Sequence, residues 1–97
     1  MSRILLTVPT WNEAVIIERN LGLLDQACAR LLAGYDWTVE VSDNGSTDAT
    51  RDIVRRLSVI NPRLRLREIA TRGKGGAIRE SWLAGRGSFE AFVFSVR

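Results

Sequence analysis

The sequence contains no histidine and only one cysteine, Cys28, among its 97 residues. Without histidine, the commonest general base and the Ser-His and Cys-His nucleophilic arrangements are excluded. A single cysteine excludes an internal disulfide and argues against a zinc site. Because Cys28 falls among apolar residues at helical spacing, its pattern is typical of a small core side chain. Catalysis would therefore have to use carboxylates, a metal ion or electrostatic stabilisation.

The sequence also lacks a long apolar run. The stretch before Pro9 is too short for the apolar part of a signal peptide and far too short to span a bilayer, so we expect a cytoplasmic location. A net charge of +3, from 14 basic and 11 acidic residues, suits anionic ligands such as nucleotides. Since this excess is small, nucleic-acid binding is not expected. The length allows one small globular domain.

What the sequence does contain is a regular alternation of strand and helix patterns. Ile4–Val8 predicts a buried strand, and Ala14–Ala33 predicts an amphipathic helix with Asn12 as its N-cap and Gly34 as its stop. The later predicted elements are a strand at Trp37–Val41, a short helix carrying Ile53, Val54 and Leu57, a strand with Leu64 and Leu66, a helix carrying Ile78 and Trp82, and a strand at Phe92–Val96. The order β-α-β-α-β-α-β predicts an α/β, Rossmann-like half domain with a parallel sheet.

Polar clusters follow each of the predicted strands. They are Pro9–Glu13, Asp43–Asp48, Arg72–Gly76 and Ser95–Arg97. In an open parallel sheet the carboxyl ends of the strands lie along one edge, where ligands bind. We therefore predict a single crevice at this edge, lined by segments that are far apart in the sequence.

Asp43 is the strongest candidate in these clusters, because a carboxylate at a strand end can accept hydrogen bonds from a base or a ribose. The alternative role of Asp43 is that of a turn residue without a ligand. We interpret the residues after it as mainly structural, with Ser46 or Thr47 capping the next helix. Trp11 offers a ring that could stack on a base, and Glu13 offers a further carboxylate. Local packing of the ring and interaction of Glu13 with the helix dipole remain the alternatives.

Arg72–Gly76 combines two cations, flexible backbone and a predicted helix N-terminus, which together suit a phosphate group. The segment is not a Walker A sequence. The alternative to phosphate binding is a solvated loop. No Gly-rich dinucleotide fingerprint follows the first strand, so NAD binding is not expected. Arg63, Arg65 and Arg67 alternate with leucines and predict one wet face on the third strand.

Taken together, three motifs resemble those of family 2 glycosyltransferases with the GT-A fold. They are Val8-Pro9-Thr10-Trp11-Asn12-Glu13, Val41-Ser42-Asp43-Asn44-Gly45-Ser46-Thr47-Asp48 and Arg72-Gly73-Lys74-Gly75-Gly76-Ala77. The sequence is most similar to the polyprenyl-phosphate sugar transferases, such as dolichyl-phosphate mannosyltransferase, which read P-x-Y-N-E, V-D-D-G-S-x-D and G-K-G. Trp11 stands where that pattern has Tyr, and Asn44 replaces the second Asp.

The resemblance implies an enzyme that transfers a sugar from a GDP- or UDP-sugar to an acceptor such as a polyprenyl phosphate. The implied nucleotide-binding residues are Pro9, Trp11, Glu13, Asp43 and Lys74. Mg²⁺ or Mn²⁺ is implied for the intact enzyme at an Asp-x-Asp motif, but Arg97 stands near the place of its first carboxylate.

Residues 1–97 are therefore expected to form the N-terminal nucleotide-binding part of a glycosyltransferase domain, truncated before Asp-x-Asp. We expect this part to contain no catalytic residue and no metal ligand and to be inactive alone. Membrane contact would come only through segments outside it, at the cytoplasmic membrane face. The alternative left open is a non-catalytic nucleotide-binding module on a Rossmann-like sheet.

Overall fold

The computed structural model describes residues 3–69 and the backbone of residues 91–94. The elements are, in order, β1 (Arg3–Thr10), α1 (Ile17–Leu31), β2 (Asp36–Asp43), α2 (Thr50–Ile60), β3 (Leu64–Glu68) and β4 (Ala91–Phe94). The strands form one parallel sheet in the order β3-β2-β1-β4. The predicted α/β, Rossmann-like half domain is confirmed. The predicted helix with Ile78 and Trp82 lies outside the described residues.

One face of the sheet is apolar and carries both helices. Side chains alternate between the two faces of a strand, and parallel register places Val39 and Val41 of β2 beside Leu64 and Leu66 of β3. Helices α1 and α2 pack their apolar sides onto this face. The buried core cluster consists of Val8, Ile17, Leu21, Cys28, Trp37, Val39, Val41, Val54 and Leu64.

Cys28 lies in this core, as predicted, with 3% of its surface exposed. Burial raises the pKa of its thiol, and the nearby charge of Asp25 raises that pKa further. A buried thiol that resists ionisation is a weak nucleophile and a weak metal ligand. Its role is therefore packing.

On the opposite face of the sheet, the three arginines predicted to form a wet face are partly exposed but are paired with neighbouring groups. Glu40 of β2 is 1% exposed and accepts hydrogen bonds from Arg65 Nε at 2.6 Å and Arg67 Nε at 3.2 Å. Arg63 donates to the carbonyl oxygen of Trp37 at 2.7 Å. The three arginines are thus engaged within the sheet, because a buried carboxylate needs paired cations. They do not form a free basic surface.

Helix α1 is shorter than the predicted Ala14–Ala33. Its N-cap is Ile16, which makes no side-chain capping bond, and its C-cap is Leu32 rather than Gly34. Asn12 is not the N-cap, because its side chain is held by the loop after β2, as described below. No helix in residues 3–69 is long and apolar enough to cross a membrane.

The first two strands extend further than predicted. They pair continuously from Arg3 with Asp36 to Thr10 with Asp43. This continuous ladder carries both strands to the edge where the polar clusters begin. Of the predicted strand Phe92–Val96, the part up to Phe94 is described, and it pairs with β1.

Candidate functional site

The carboxyl edge of the sheet brings three polar residues into one row. Thr10 of β1 pairs in register with Asp43 of β2, and Asp43 pairs with Glu68 of β3. Register partners in a parallel sheet share a face, so this row continues the apolar helix-covered face up to the edge. The sequence prediction that the ends of these strands meet at one edge is confirmed for β1, β2 and β3.

Asp43 is the centre of the row, and its side chain is 0% exposed. Its Oδ1 accepts hydrogen bonds from the Thr10 hydroxyl, at 3.2 Å, and from the Ser46 hydroxyl. Its Oδ2 accepts the Ser46 backbone N–H at 2.9 Å and lies 3.3 Å from Arg51 Nε. Burial of a charge is tolerated when it is paired and hydrogen-bonded, and both oxygens meet that condition here.

Arg51, in the first turn of α2, links Asp43 to its surroundings. Its Nη1 donates to Glu68 Oε1 at 2.7 Å, and its Nη2 donates to the Ser46 carbonyl oxygen at 2.6 Å. On the outer side, Arg55 Nη2 donates to Glu68 Oε2 at 2.7 Å. Hydrogen bonds from Arg51, and then from Arg55, hold the pKa of Glu68 below its ordinary value. The same contact with Glu68 raises the pKa of Arg55.

The loop after β1 is docked on the loop after β2 through Asn12. Asn12 takes a left-handed backbone conformation, with a φ of 50°. Its backbone N–H donates to the Ser46 hydroxyl at 2.9 Å, and its Oδ1 accepts the backbone N–H of Thr47 at 2.7 Å and of Asp48 at 3.3 Å. Asparagine tolerates this conformation better than most residues, and its short amide side chain can reach nearby backbone groups.

A second set of bonds completes the contact between the two loops. The Glu13 N–H donates to the Thr50 hydroxyl at 2.9 Å, and the Ala14 N–H donates to Asp48 Oδ2 at 3.1 Å. Asp48 Oδ1 also accepts the Thr50 N–H at 2.9 Å. The hydrogen bond from the Thr50 hydroxyl is the main cause that lowers the pKa of Asp48. The two loops therefore form one hydrogen-bonded unit.

The prediction that Ser46 or Thr47 caps α2 is wrong. The N-cap residue of α2 is Ala49, which makes no side-chain capping bond. Asp48 instead accepts the N–H of the first helical residue, while the Ser46 hydroxyl is occupied by Asp43 and Asn12. The wider interpretation of this loop as mainly structural agrees with these contacts.

The predicted site residues have different exposures. Pro9 is buried in β1, Asp43 is buried at the end of β2, and Glu13 is partly buried. Trp11 follows β1 directly and is 45% exposed. Lys74 and the rest of Arg72–Gly76 lie outside the described residues. The structure thus brings Pro9, Trp11, Glu13 and Asp43 to one edge of the sheet.

Sequence reasoning missed several residues that build this edge. The missed contacts belong to Thr10, Asn12, Thr50 and Arg51. The register of β1 against β2 would have paired Thr10 with Asp43, but the full length of the two strands was not predicted. Arg51 could have been found from its place in the first turn of α2, eight positions after Asp43 and facing back toward the strand ends.

The described residues do not fit a metal ion. Residues 3–69 contain no group of three or more His, Cys, Asp or Glu side chains that could hold one. The Asp43 carboxylate is already engaged by Thr10, Ser46 and Arg51. Both observations concern only the described part of the chain.

A separate cavity of about 240 Å³ lies between α1 and α2, away from the carboxyl edge. Its lining is mostly apolar and includes Leu21, Val39, Leu57 and Leu64. Glu18 and Asp25 stand at its margin, but they pair with Arg56 at 2.9 Å and with Asn61 at 3.1 Å. Both acidic side chains at the margin of the cavity are therefore paired with neighbouring residues.

A Rossmann-like sheet with polar loops at its carboxyl edge is the arrangement with which α/β proteins bind ligands, nucleotides among them. The family model of Glycosyl transferase family 2 matches residues 6–93. Because the match covers most of the sequence, this chain belongs to the family 2 glycosyltransferases.

Two curated relatives carry the name validoxylamine A glucosyltransferase. The protein from Streptomyces hygroscopicus subsp. jinggangensis is 48% identical over 48 residues, which is 50% of this chain and 11% of that protein. The protein from Streptomyces hygroscopicus subsp. limoneus is 46% identical over 48 residues, or 50% of this chain and 10% of that protein. The aligned part is thus about a tenth of each relative. No solved structure matches the chain significantly.

These comparisons confirm the family predicted from the sequence motifs. The branch of polyprenyl-phosphate sugar transferases stays a prediction, as do the base of the donor and the acceptor.

Proposed function

We propose that this chain forms the nucleotide-binding part of a glycosyltransferase that takes its sugar from a GDP- or UDP-sugar. Membership of family 2 supports sugar transfer as the reaction class. The observation that carries the nucleotide assignment is the position of the partly exposed Trp11, which directly follows Thr10 of the network centred on Asp43. An aromatic ring and a carboxylate at one sheet edge match the stacking face and the hydrogen-bonding edge of a nucleoside.

In this proposal Trp11 stacks on the base, and Pro9 and Glu13 line the same crevice. Asp43 accepts a hydrogen bond from the base or the ribose. Because its carboxylate is buried and fully engaged, the ligand has to replace a present donor. The Thr10 hydroxyl is best suited to leave, since its 3.2 Å contact is the longest hydrogen bond on that carboxylate.

Lys74 and the glycines around it would stand near the phosphates of the donor. A divalent cation, Mg²⁺ or Mn²⁺, would neutralise the leaving diphosphate in the complete enzyme. Since the described residues do not fit a metal ion, no step of the proposal depends on it.

For the acceptor, a polyprenyl phosphate is the proposal that follows from the motif pattern. The name of the two relatives supplies a second candidate, validoxylamine A. Sugar-transfer assays with each compound as acceptor, on the full-length protein, would separate the two. Product with one acceptor alone would decide between them.

Calorimetric titration of the chain with UDP, GDP and ADP tests the nucleotide assignment. We expect UDP or GDP to bind at least about tenfold more tightly than ADP, a difference of about 1.4 kcal/mol. Trp11→Ala should weaken binding by about tenfold or more, because base stacking on an aromatic ring contributes about 1–3 kcal/mol.

Tyr35→Ala is the matched control. Tyr35 is 44% exposed, close to the 45% of Trp11, but it precedes β2 and so lies toward the opposite edge of the sheet. The Tyr35→Ala variant should bind UDP and GDP with the same dissociation constants as the wild-type chain. Preference for ADP would favour the alternative, a non-catalytic nucleotide-binding module, and absence of binding to all three nucleotides would contradict both.

A further inference from the structure

We propose that Arg51 is a positioning residue for the nucleotide site and acts by fixing the carboxylate of Asp43. This inference rests on the proposed function, in which Asp43 faces the nucleotide. It adds a residue that lies outside the three motifs shared with the family. Its basis is the way in which one guanidinium joins the ends of two strands and the intervening loop.

All three nitrogens of the Arg51 side chain are used. Nε lies 3.3 Å from Asp43 Oδ2, Nη1 donates to Glu68 at 2.7 Å, and Nη2 donates to the Ser46 carbonyl oxygen at 2.6 Å. The planar guanidinium has its donors in a fixed fork, so it can hold several acceptors in one arrangement. Arg51 therefore fixes Asp43 of β2 relative to Glu68 of β3.

The two oxygens of Asp43 have different partners. Oδ2 is held by Arg51 and by the backbone N–H of Ser46, whereas Oδ1 is held by hydroxyl groups. Hydroxyl groups rotate and can donate elsewhere, but a guanidinium bound at three points cannot. We therefore expect a ligand to reach Oδ1 by exchange with a hydroxyl group, while Arg51 fixes the carboxylate through Oδ2.

Arg55 provides an internal comparison on the same helix. It lies one turn after Arg51 and binds the other oxygen of Glu68, also at 2.7 Å. Its further ion pair is with Asp52 at 3.1 Å, and its side chain is 51% exposed. Arg51 and Arg55 thus share Glu68 but differ in the contact with Asp43.

The experiment measures dissociation constants for UDP and GDP by calorimetry, together with the thermal unfolding midpoint. The variants are Arg51→Lys and Arg55→Lys, each in the wild-type and in the Asp43→Asn background. A lysine keeps the charge but loses the fork. We expect Arg51→Lys to weaken binding about tenfold and Arg55→Lys to change it by less than about twofold, since only the first removes the Nε that pairs with Asp43.

In the Asp43→Asn background the effect of Arg51→Lys should shrink to less than about twofold, because residues that act through one another are not additive. A purely structural role would lower the unfolding midpoint without this dependence on Asp43. Glu68→Gln serves as a second variant if Arg51→Lys does not fold. It loosens Arg51 without touching Asp43 and should weaken binding about threefold, given the modest value of a single hydrogen bond.

The outcomes separate this inference from the function on which it rests. If the wild-type chain binds neither UDP nor GDP, the proposed function fails and the inference fails with it. If the wild type binds but both lysine variants have equal effects, only the role of Arg51 is overturned. An unchanged effect of Arg51→Lys in the Asp43→Asn background would overturn that role as well.

Discussion

Val41 and Asp43 lie two positions apart on β2, on the same face, and each is 0% exposed. Val41 belongs to the apolar cluster beneath the two helices, where hydrophobic burial provides the stability. Asp43 belongs to the carboxyl edge, where hydrogen bonds and an ion pair surround a charge. The same strand therefore passes from non-directional packing to directional bonding within two residues. This boundary separates the apolar core from the polar edge that we propose as the nucleotide site.

The largest expected effect comes from removing the carboxylate of Asp43 at the polar edge. Asp43→Ala removes the acceptor of the buried Thr10 and Ser46 donors and one ion-pair partner of Arg51. A buried donor left without its partner costs about 1–3 kcal/mol, so the Thr10 and Ser46 donors together should cost about 3–5 kcal/mol. Urea denaturation of the wild type and the variant measures this loss in the free energy of unfolding.

Val41→Ala shortens a buried side chain of the apolar core. It should lower the free energy of unfolding by about 2 kcal/mol, less than Asp43→Ala, through lost burial and a residual cavity. The same urea experiment provides the value. Its effect on nucleotide binding should be absent under conditions where the variant is folded, whereas Asp43→Ala should lose binding as well. The comparison fails if Asp43→Ala proves less destabilising than Val41→Ala.

The docking of the two loops is tested at Asn12 with two substitutions. Asn12→Gly loses the acceptor for the Thr47 and Asp48 N–H groups but permits the φ of 50°, so it should cost about 1–2 kcal/mol. Asn12→Ala loses the same bonds and adds about 1 kcal/mol of strain, because a Cβ disfavours the left-handed region.

Thermal or urea unfolding of both Asn12 variants gives the two values. Equal stability of the glycine and alanine variants would show that the left-handed turn is relaxed on substitution, and that Asn12 acts through its side chain alone. Wild-type stability of both variants would contradict a stabilising role for the docking of the two loops.

The smallest effect concerns pH. Arg51 and Arg55 lower the pKa of Glu68 from its ordinary 4.5, so its contribution to stability is present above pH 4.5 and is lost as the pH falls through the lowered value. Glu68→Gln should therefore reduce the steepness of acid destabilisation below pH 4.5. Unfolding midpoints measured across the acid range, against wild type, provide the check. An unchanged profile would contradict the proposed strength of the Glu68 contacts.

The fold was largely predictable because its signals are local and repeated. Continuous apolar runs or apolar alternation identified the strands, and the four-three spacing from Ile17 to Leu31 identified α1. Ends of elements were less well predicted. Asn12 has the chemistry of an N-cap, but Thr47, 35 residues later in the chain, binds its side chain. Such a contact depends on the folded sheet and leaves no local pattern.

The residues of the candidate site also differ in how well the sequence predicted them. Asp43 and Trp11 were recognisable because an acid lies at the end of one strand and an aromatic residue directly follows another. Thr10 and Arg51 were not recognisable, since neither stands out in its own segment. Their contacts with Asp43 depend on the register of β1, β2 and β3. Glu40 is a further example, because its burial depends on Arg65 and Arg67 from the neighbouring strand.

The central claim is that the carboxyl edge around Trp11 and Asp43 binds the nucleotide of the sugar donor. Two-dimensional ¹H–¹⁵N NMR of the labelled chain during titration with UDP and GDP tests it most directly. We predict that the largest shift changes fall on the Trp11 indole N–H and on the backbone N–H groups of Asp43, Asn44 and Ser46. Changes concentrated instead at Leu21, Leu57 and Leu64, around the cavity between the helices, would contradict the claim.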